Sequence, residues 1–420
     1  MAEWKRVRLG EVADLLSGFP FDGHKYSSDG VRVVRGENVS KGKLRWNADK
    51  RWNEPFEKES IYSLRLHDVV VSMDGNVGKN RSRILKDDLP LLLAQRVARL
   101  RAKESVADQL FLYYCILSQD FEQYIDSIKT GTTISHISLG QLSEYEIPLP
   151  PLATQKKIAA VLGAIDDKIE TNRKICANLE AQAQALFKSW FVDFEPFGGK
   201  MLDDDIWGTH PRDLKYVKVS SLNPILETGS RPKGGATSSG MPSIGAENVK
   251  RLGVVDFSAA KFIPYDYANQ LKRGRIHGYE LLLYKDGGKP GMFKPHFSMF
   301  GEGFPYQECF INEHVFKVDF GSREINVFAY FYFKSHNVFH WLETNGSKAA
   351  IPGINQSNVL DVMMPDPSNI LVQAFGSKVL PLFKRIFIAS KESRALASMR
   401  DALLPRLMSG EIDVEKVEVA

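Results

Sequence analysis

Between Lys79 and Lys103 the chain carries eight basic side chains (Lys79, Arg81, Arg83, Lys86, Arg96, Arg99, Arg101, Lys103) against only Asp87 and Asp88. A second concentration, Lys272, Arg273, Arg275, Lys285, Lys289 and Lys294, stands against Glu280 and Asp286. One such run usually marks a solvated face. Two runs at equivalent places, beside glycine-rich turns that bring backbone N–H groups close to an anion, suit phosphate oxygens. The expected phosphate contacts are Lys25, Lys79, Arg81, Arg83 and Arg96 in the first half and Lys285, Lys289 and Lys294 in the second. Between them lie side chains that can exchange hydrogen bonds with base edges: Asn76, Asn80, Thr132, Thr133, Ser135 and His136, then Gln307, Ser347, Asn355 and Gln356.

No catalytic constellation accompanies this binding chemistry in the sequence. The loop Gly18-Phe19-Pro20-Phe21-Asp22-Gly23 is followed by His24-Lys25, lacks the Gly-Lys-Ser/Thr of a phosphate loop, and loses one N–H at Pro20. There is no GxSxG elbow, HExxH helix, Asn-Pro-Pro-aromatic methylation motif or glycine-rich cofactor loop after a strand, and the nine histidines do not cluster at metal-ligand spacing. No metal site and no bound cofactor are therefore expected. Cys115, Cys176 and Cys309 are far apart without CxxC spacing, which fits a reducing, cytoplasmic compartment. No apolar run approaches the ~20 residues that span a bilayer. A composition of 43% hydrophobic and 25% charged residues is that of a folded soluble protein, and the formal charge of +4 is too small to argue for nucleic acid by itself.

The elements that must position these residues occur twice, and 420 residues suit two or three domains. Gly36-Glu37-Asn38-Val39 is matched by Ala246-Glu247-Asn248-Val249. Asp68-Val69-Val70-Val71-Ser72-Met73-Asp74-Gly75 is matched by Glu280-Leu281-Leu282-Leu283-Tyr284-Lys285-Asp286-Gly287, an acid, a buried-strand triplet and an Asp-Gly turn. Gly131 to Ile137 corresponds to Gly346 to Ile354, and Ile147-Pro148-Leu149-Pro150 to Met364-Pro365-Asp366-Pro367. Each half is an α+β domain with a helix near Asp108 to Ile128 or Ile325 to Leu342, and each ends in a long helix. Ile158, Leu162, Ile165, Ile169, Asn172, Cys176, Leu179, Ala183, Leu186 and Trp190 alternate in steps of four and three, a coiled-coil seam. Adding 217 gives Phe375, Val379, Leu382, Ile386, Ala389, Ser393, Leu396, Arg400, Leu403 and Leu407, with Ser393 and Arg400 as flaws. Two equivalent seams predict antiparallel pairing, Ile158 beside Leu407, Asn172 opposite Ser393 and Cys176 opposite Ala389. The expected division is a first domain at 1–151, a helical spacer at 152–195, a linker at 196–214, a second domain at 215–367, a second spacer at 368–411 and a tail at 412–420.

Three motifs then carry a resemblance: Ile147-Pro148-Leu149-Pro150-Pro151-Leu152 with Gln155 and Ile158; Leu186-Phe187-Lys188-Ser189-Trp190-Phe191-Val192-Asp193-Phe194-Glu195-Pro196; and Leu403-Leu404-Pro405-Arg406-Leu407-Met408-Ser409-Gly410-Glu411-Ile412. With the repeat, the chain resembles the specificity subunits of type I restriction-modification systems over essentially its whole length. Val372 stands where the first helix has Gln155, a departure in the second half. The resemblance implies two target-recognition domains, each gripping one half of a split, asymmetric site in double-stranded DNA, and helices that set the spacing. It also implies two methyltransferase subunits using S-adenosylmethionine and restriction or translocase subunits using ATP and magnesium, with no chemistry on this chain. Two other readings stay open. A self-contained DNA methyltransferase or nuclease would methylate or cut alone, and a repeat adaptor for acidic proteins would show no salt-dependent DNA binding.

Overall fold

The computed structural model describes residues 4–128, 136–245, 247–248, 252–253, 261–287, 289, 291–348 and 352–416. Two compact units form, Met1–Asp167 with Leu396–Ala420, and Lys168–Ala395. The division falls inside the long helices, so each unit holds a globular part and a portion of both helices, where the expected boundaries separated domains from spacers.

In the first unit the β-branched run Val69–Ser72 is buried on both faces, as a central strand must be. It lies in a four-stranded antiparallel sheet ordered Ala13–Ser17, Val97–Ala102, Val69–Ser72, Arg81–Arg83. A smaller sheet sets Val31–Val34 antiparallel to Arg51–Trp52 and parallel to Leu91–Leu93. Helix Gln109–Leu117 is capped by Asp108, whose carboxylate accepts from the Leu110 and Phe111 N–H groups, and every residue from Phe111 to Leu117 is buried. Helix Gln119–Ile128 follows.

The second unit repeats this plan. Its sheet is ordered Ile225–Thr228, Val315–Asp319, Leu281–Tyr284, Phe297–Ser298. Its small sheet sets Met241–Ile244 antiparallel to Lys261–Ile263 and parallel to Phe310–Ile311. Helices Arg323–Phe333, capped by Ser322, and His336–Ser347 occupy the place of the first pair. The expected single helix is thus two helices in each half. The segment read as a linker also differs: its apolar residues fold it onto the second unit, with Leu214 fully buried, the Trp207 and Trp341 rings 5.4 Å apart, and the Asn337 amide donating to the Trp207 carbonyl at 2.7 Å.

The long helices run Leu152–Phe191 and Ile370–Met408. In the first unit Ile158, Ala159 and Leu162 share a core with Leu404, Leu407 and Met408. In the second, Ala183, Phe187 and Phe191 share one with Val372, Phe375 and Val379. Within each unit the start of one helix meets the end of the other, so the pairing is antiparallel as expected. The contacts fall close to the expected register. Asn172 donates to Glu392 at 2.9 Å, the neighbour of Ser393, whose hydroxyl bonds back to Ala389 O at 2.8 Å, and the Cys176 thiol reaches Ile386 O at 3.6 Å, one turn from Ala389. Phe383 and Phe387 are buried beside Val379 and Ile386, so this stretch faces its domain as well as its partner helix. Ile165, Ile169, Leu179, Leu186, Leu382, Leu396 and Leu403 are accordingly half-buried.

Candidate nucleic-acid interface

The basic run of the first unit divides by burial. Arg81 is fully buried; its guanidinium donates to Glu122 at 2.7 Å, Leu117 O at 2.8 Å and Gly78 O at 3.0 Å. Arg83, 5% exposed, donates to Asp167 at 2.9 Å and lies over the Tyr113 ring. Both were expected to reach phosphate; both are structural, because each alternates inward on strand Arg81–Arg83 toward a carboxylate. Arg101 pairs with buried Asp68 at 2.6 Å, and Lys103 donates to Gly10 O at 3.0 Å. Lys25, Lys79 and Arg96 remain exposed, Lys79 in a surface pair with Asp126 at 3.5 Å. In the second unit Lys289 and Lys294 are exposed, whereas Lys285 is half-buried, paired with Asp286 and 5.7 Å above the Phe316 ring.

Among the base-reading candidates, Asn76 is exposed and Asn80 half-buried on the turn after Val69–Ser72. Thr132, Thr133 and Ser135 lie outside the described residues. Gln307 and Gln356 are exposed. Asn355 instead caps helix Gln356–Leu360 by accepting from Asn358 N, as Ser138 caps helix Leu139–Ser143 in the first half. The Ser347 hydroxyl accepts from Phe293 N at 3.1 Å. Those two oxygens are occupied by the fold.

Arg96 and His136 in the first unit, and Lys285 in the second, meet at a junction with the same backbone hydrogen bonds in both units. In the first, Met73 N donates to Arg96 O at 2.9 Å, and Ile137 N donates to Met73 O at 3.0 Å. In the second, Lys285 N donates to His314 O at 3.0 Å, and Ile354 N to Lys285 O at 2.7 Å. The residue before each Asp-Gly turn thereby ties the turn between two sheets (Ala94 to Val97; Asn312 to Val315) to Ile137 or Ile354. The Asp carboxylate then meets a side chain of that turn. Asp74 pairs with Arg96 at 3.4 Å and with His136 at 2.5 Å. Asp286 pairs with His314 and bridges in backbone to Gly353. Turns with exposed hydrogen-bonding groups, held on the edge of a sheet, can meet a groove edge.

The sequence reading missed Asp74, Asp286 and His314 as members of this site. The signal was present, since Asp-Gly recurs in both halves, but the turn was read only for its backbone. Two of the three thiols are unreactive: Cys115 and Cys309 are buried, and burial pushes both well above the ordinary thiol value, away from the reactive thiolate. Among the described residues no helix is long and apolar enough to cross a membrane.

Residues 1–181 match the family model of the type I restriction modification DNA specificity domain. The MjaIX type I restriction enzyme specificity subunit of Methanocaldococcus jannaschii is 28% identical over 335 residues, covering 78% of this chain and 74% of that one. The HindI specificity subunit of Haemophilus influenzae is 23% identical over 98% of this chain and its own full length. The crystal structure of the type I system S subunit from M. genitalium aligns over 96% of both chains with a TM-score of 0.57 at 17% identity, a likeness of fold.

Proposed function

Because this chain belongs to the family of type I restriction-modification specificity subunits, we propose that it reads DNA for such a complex, each unit taking one half of a bipartite, asymmetric site. The observation that carries this reading is the junction of two turns at the same topological place in both units, with different side chains in each. Equal scaffolds bearing unequal side chains suit two different short sequences. Exposed Lys25, Lys79, Lys289 and Lys294 supply phosphate contacts, and the loop ends supply base contacts. The chain itself performs no chemistry. Two methyltransferase subunits carry S-adenosylmethionine and flip the target adenine, and restriction or translocase subunits use ATP and magnesium, all in the cytoplasm.

Methylome sequencing of cells that express this chain with a methyltransferase subunit tests the reading. The expected outcome is adenine methylation at one split, non-palindromic sequence, absent when either protein is omitted. Methyl transfer by the purified chain alone would refute it.

A further inference from the structure

We infer that Arg96 is a specificity-determining residue that reads a guanine in the half-site of the first unit, a step that rests on the DNA-reading function proposed above. Arg96 was grouped with the phosphate contacts on charge alone, and three observations move it. First, its backbone is left-handed, at φ +72°. A side chain there costs about 1 kcal/mol or more that glycine would avoid. The turn nevertheless carries an arginine, held in place by Met73 N on its carbonyl and by Gln95 N on Phe19 O at 2.8 Å. Second, Asp74 stands 3.4 Å from Nε in an ion pair, and among the described residues neither terminal nitrogen has a partner in the chain, with 57% of the side chain exposed. An adjacent carboxylate weakens a cation as a point charge for phosphate. By occupying the Nε side it leaves both terminal nitrogens for a ligand, and guanine O6 and N7 accept from such a pair of donors. Third, Asp74 is itself held on its other oxygen by His136, so the fork is positioned by a second layer.

The second unit places His314 at the equivalent point, between Asp286 and Glu313, the latter at 3.3 Å from Nε2. Both ring nitrogens face carboxylates, and an imidazole has no parallel pair of donors. The guanine contact thus belongs to one half only.

The test selects from a random double-stranded DNA library with the full-length chain and a methyltransferase subunit. Wild type should recover a split motif with a guanine in one half. Arg96→Gly, which suits the left-handed backbone and should melt no lower than wild type, should reduce preference for that guanine about tenfold or more and leave the other half unchanged. Arg96→Lys should lose most of it, and Asp74→Asn part of it. If wild type enriches no sequence, the DNA-reading function itself fails. If wild type enriches a split motif whose every base survives Arg96→Gly, only the inference fails. A uniform loss of affinity with a salt slope lower by about one would make Arg96 a phosphate contact and overturn it too.

Discussion

Lys79 and Arg81 lie two positions apart in one basic run, yet Lys79 stands on an exposed turn and Arg81 on the buried strand that follows it, which gives them different physics. Lys79 is exposed, and its surface pair with Asp126 contributes little, so Lys79→Ala should leave stability unchanged and lower the salt slope of DNA binding by about one, read by titration across salt concentrations. Arg81→Ala should cost roughly 3 kcal/mol in denaturant unfolding of the first unit, because it removes a fully buried side chain, leaves the carbonyls of Gly78 and Leu117 without their donor and takes from Glu122 one of its two cation partners. Burial pushes the Glu122 carboxyl up, but hydrogen bonds from Lys41 and Arg81 outweigh it and hold the group below the ordinary glutamate value. The folded value being the lower one, this contribution is complete above the ordinary value and is lost as pH falls through the depressed one. Glu122→Gln should therefore flatten the acid limb of the melting-temperature profile, and an unchanged acid limb would count against the pair.

At the scale of elements, each domain grips the helix pair with different chemistry. In the first unit Arg400, read from sequence as a flaw in the seam, pairs with Asp166 at 2.8 Å, and Asp166 accepts from the Tyr114 hydroxyl at 2.9 Å. The same offset of 217 that aligns the seams puts Phe331 at Tyr114, Phe383 at Asp166 and, reversed, Ala183 at Arg400. In the second unit those residues form an apolar contact, with the Phe331 and Phe383 rings 5.7 Å apart. Arg400→Ala alone should cost the first unit about 3 kcal/mol by leaving Asp166 buried with one neutral donor. Adding Tyr114→Phe and Asp166→Phe, which copies the second unit, should restore most of that loss in the same denaturation experiment. Such comparisons show what was legible. The repeat, the strands, the helix pair and its direction were, since turn chemistry and hydrophobic period are local. The second duty of Phe383 and Phe387, which serve domain and helix together, was not. The Arg96–Asp74 contact was not, because the two turns that carry them meet only through the pairing of Val97–Ala102 with Val69–Ser72, and the offset at His314 has drifted away from that at Asp286. Gln155 shows the same limit from the other side: its amide ties Asp108 N, Val106 O and Pro150 O to the helix start, a duty that Val372 cannot share.

For the whole molecule, connectivity separates what is read from where it is read. The chain passes between units only twice, at Asp167–Lys168 and Ala395–Leu396, and both crossings lie inside helices. The residues of each reading junction, by contrast, belong to one unit's sheets and loops, with a hydrophobic core of its own beneath them. Exchanging residues 215–367 for those of another family member should therefore change one half of the DNA target and leave the other half and the spacer as they were. Changing the helices should do the reverse. Seven residues inserted at each crossing preserve the 3.5-residue seam, since a heptad turns the helix almost a whole number of times, whereas four residues in one helix alone would rotate apolar positions out of register. At 1.5 Å per residue a heptad adds about 10 Å, or about three base pairs at 3.4 Å each. The paired insertion should thus lengthen the unspecified spacer by about three base pairs with both specified halves intact, as read from the methylome. An unchanged spacer, or altered bases within either half, would show that the helices do not set the distance.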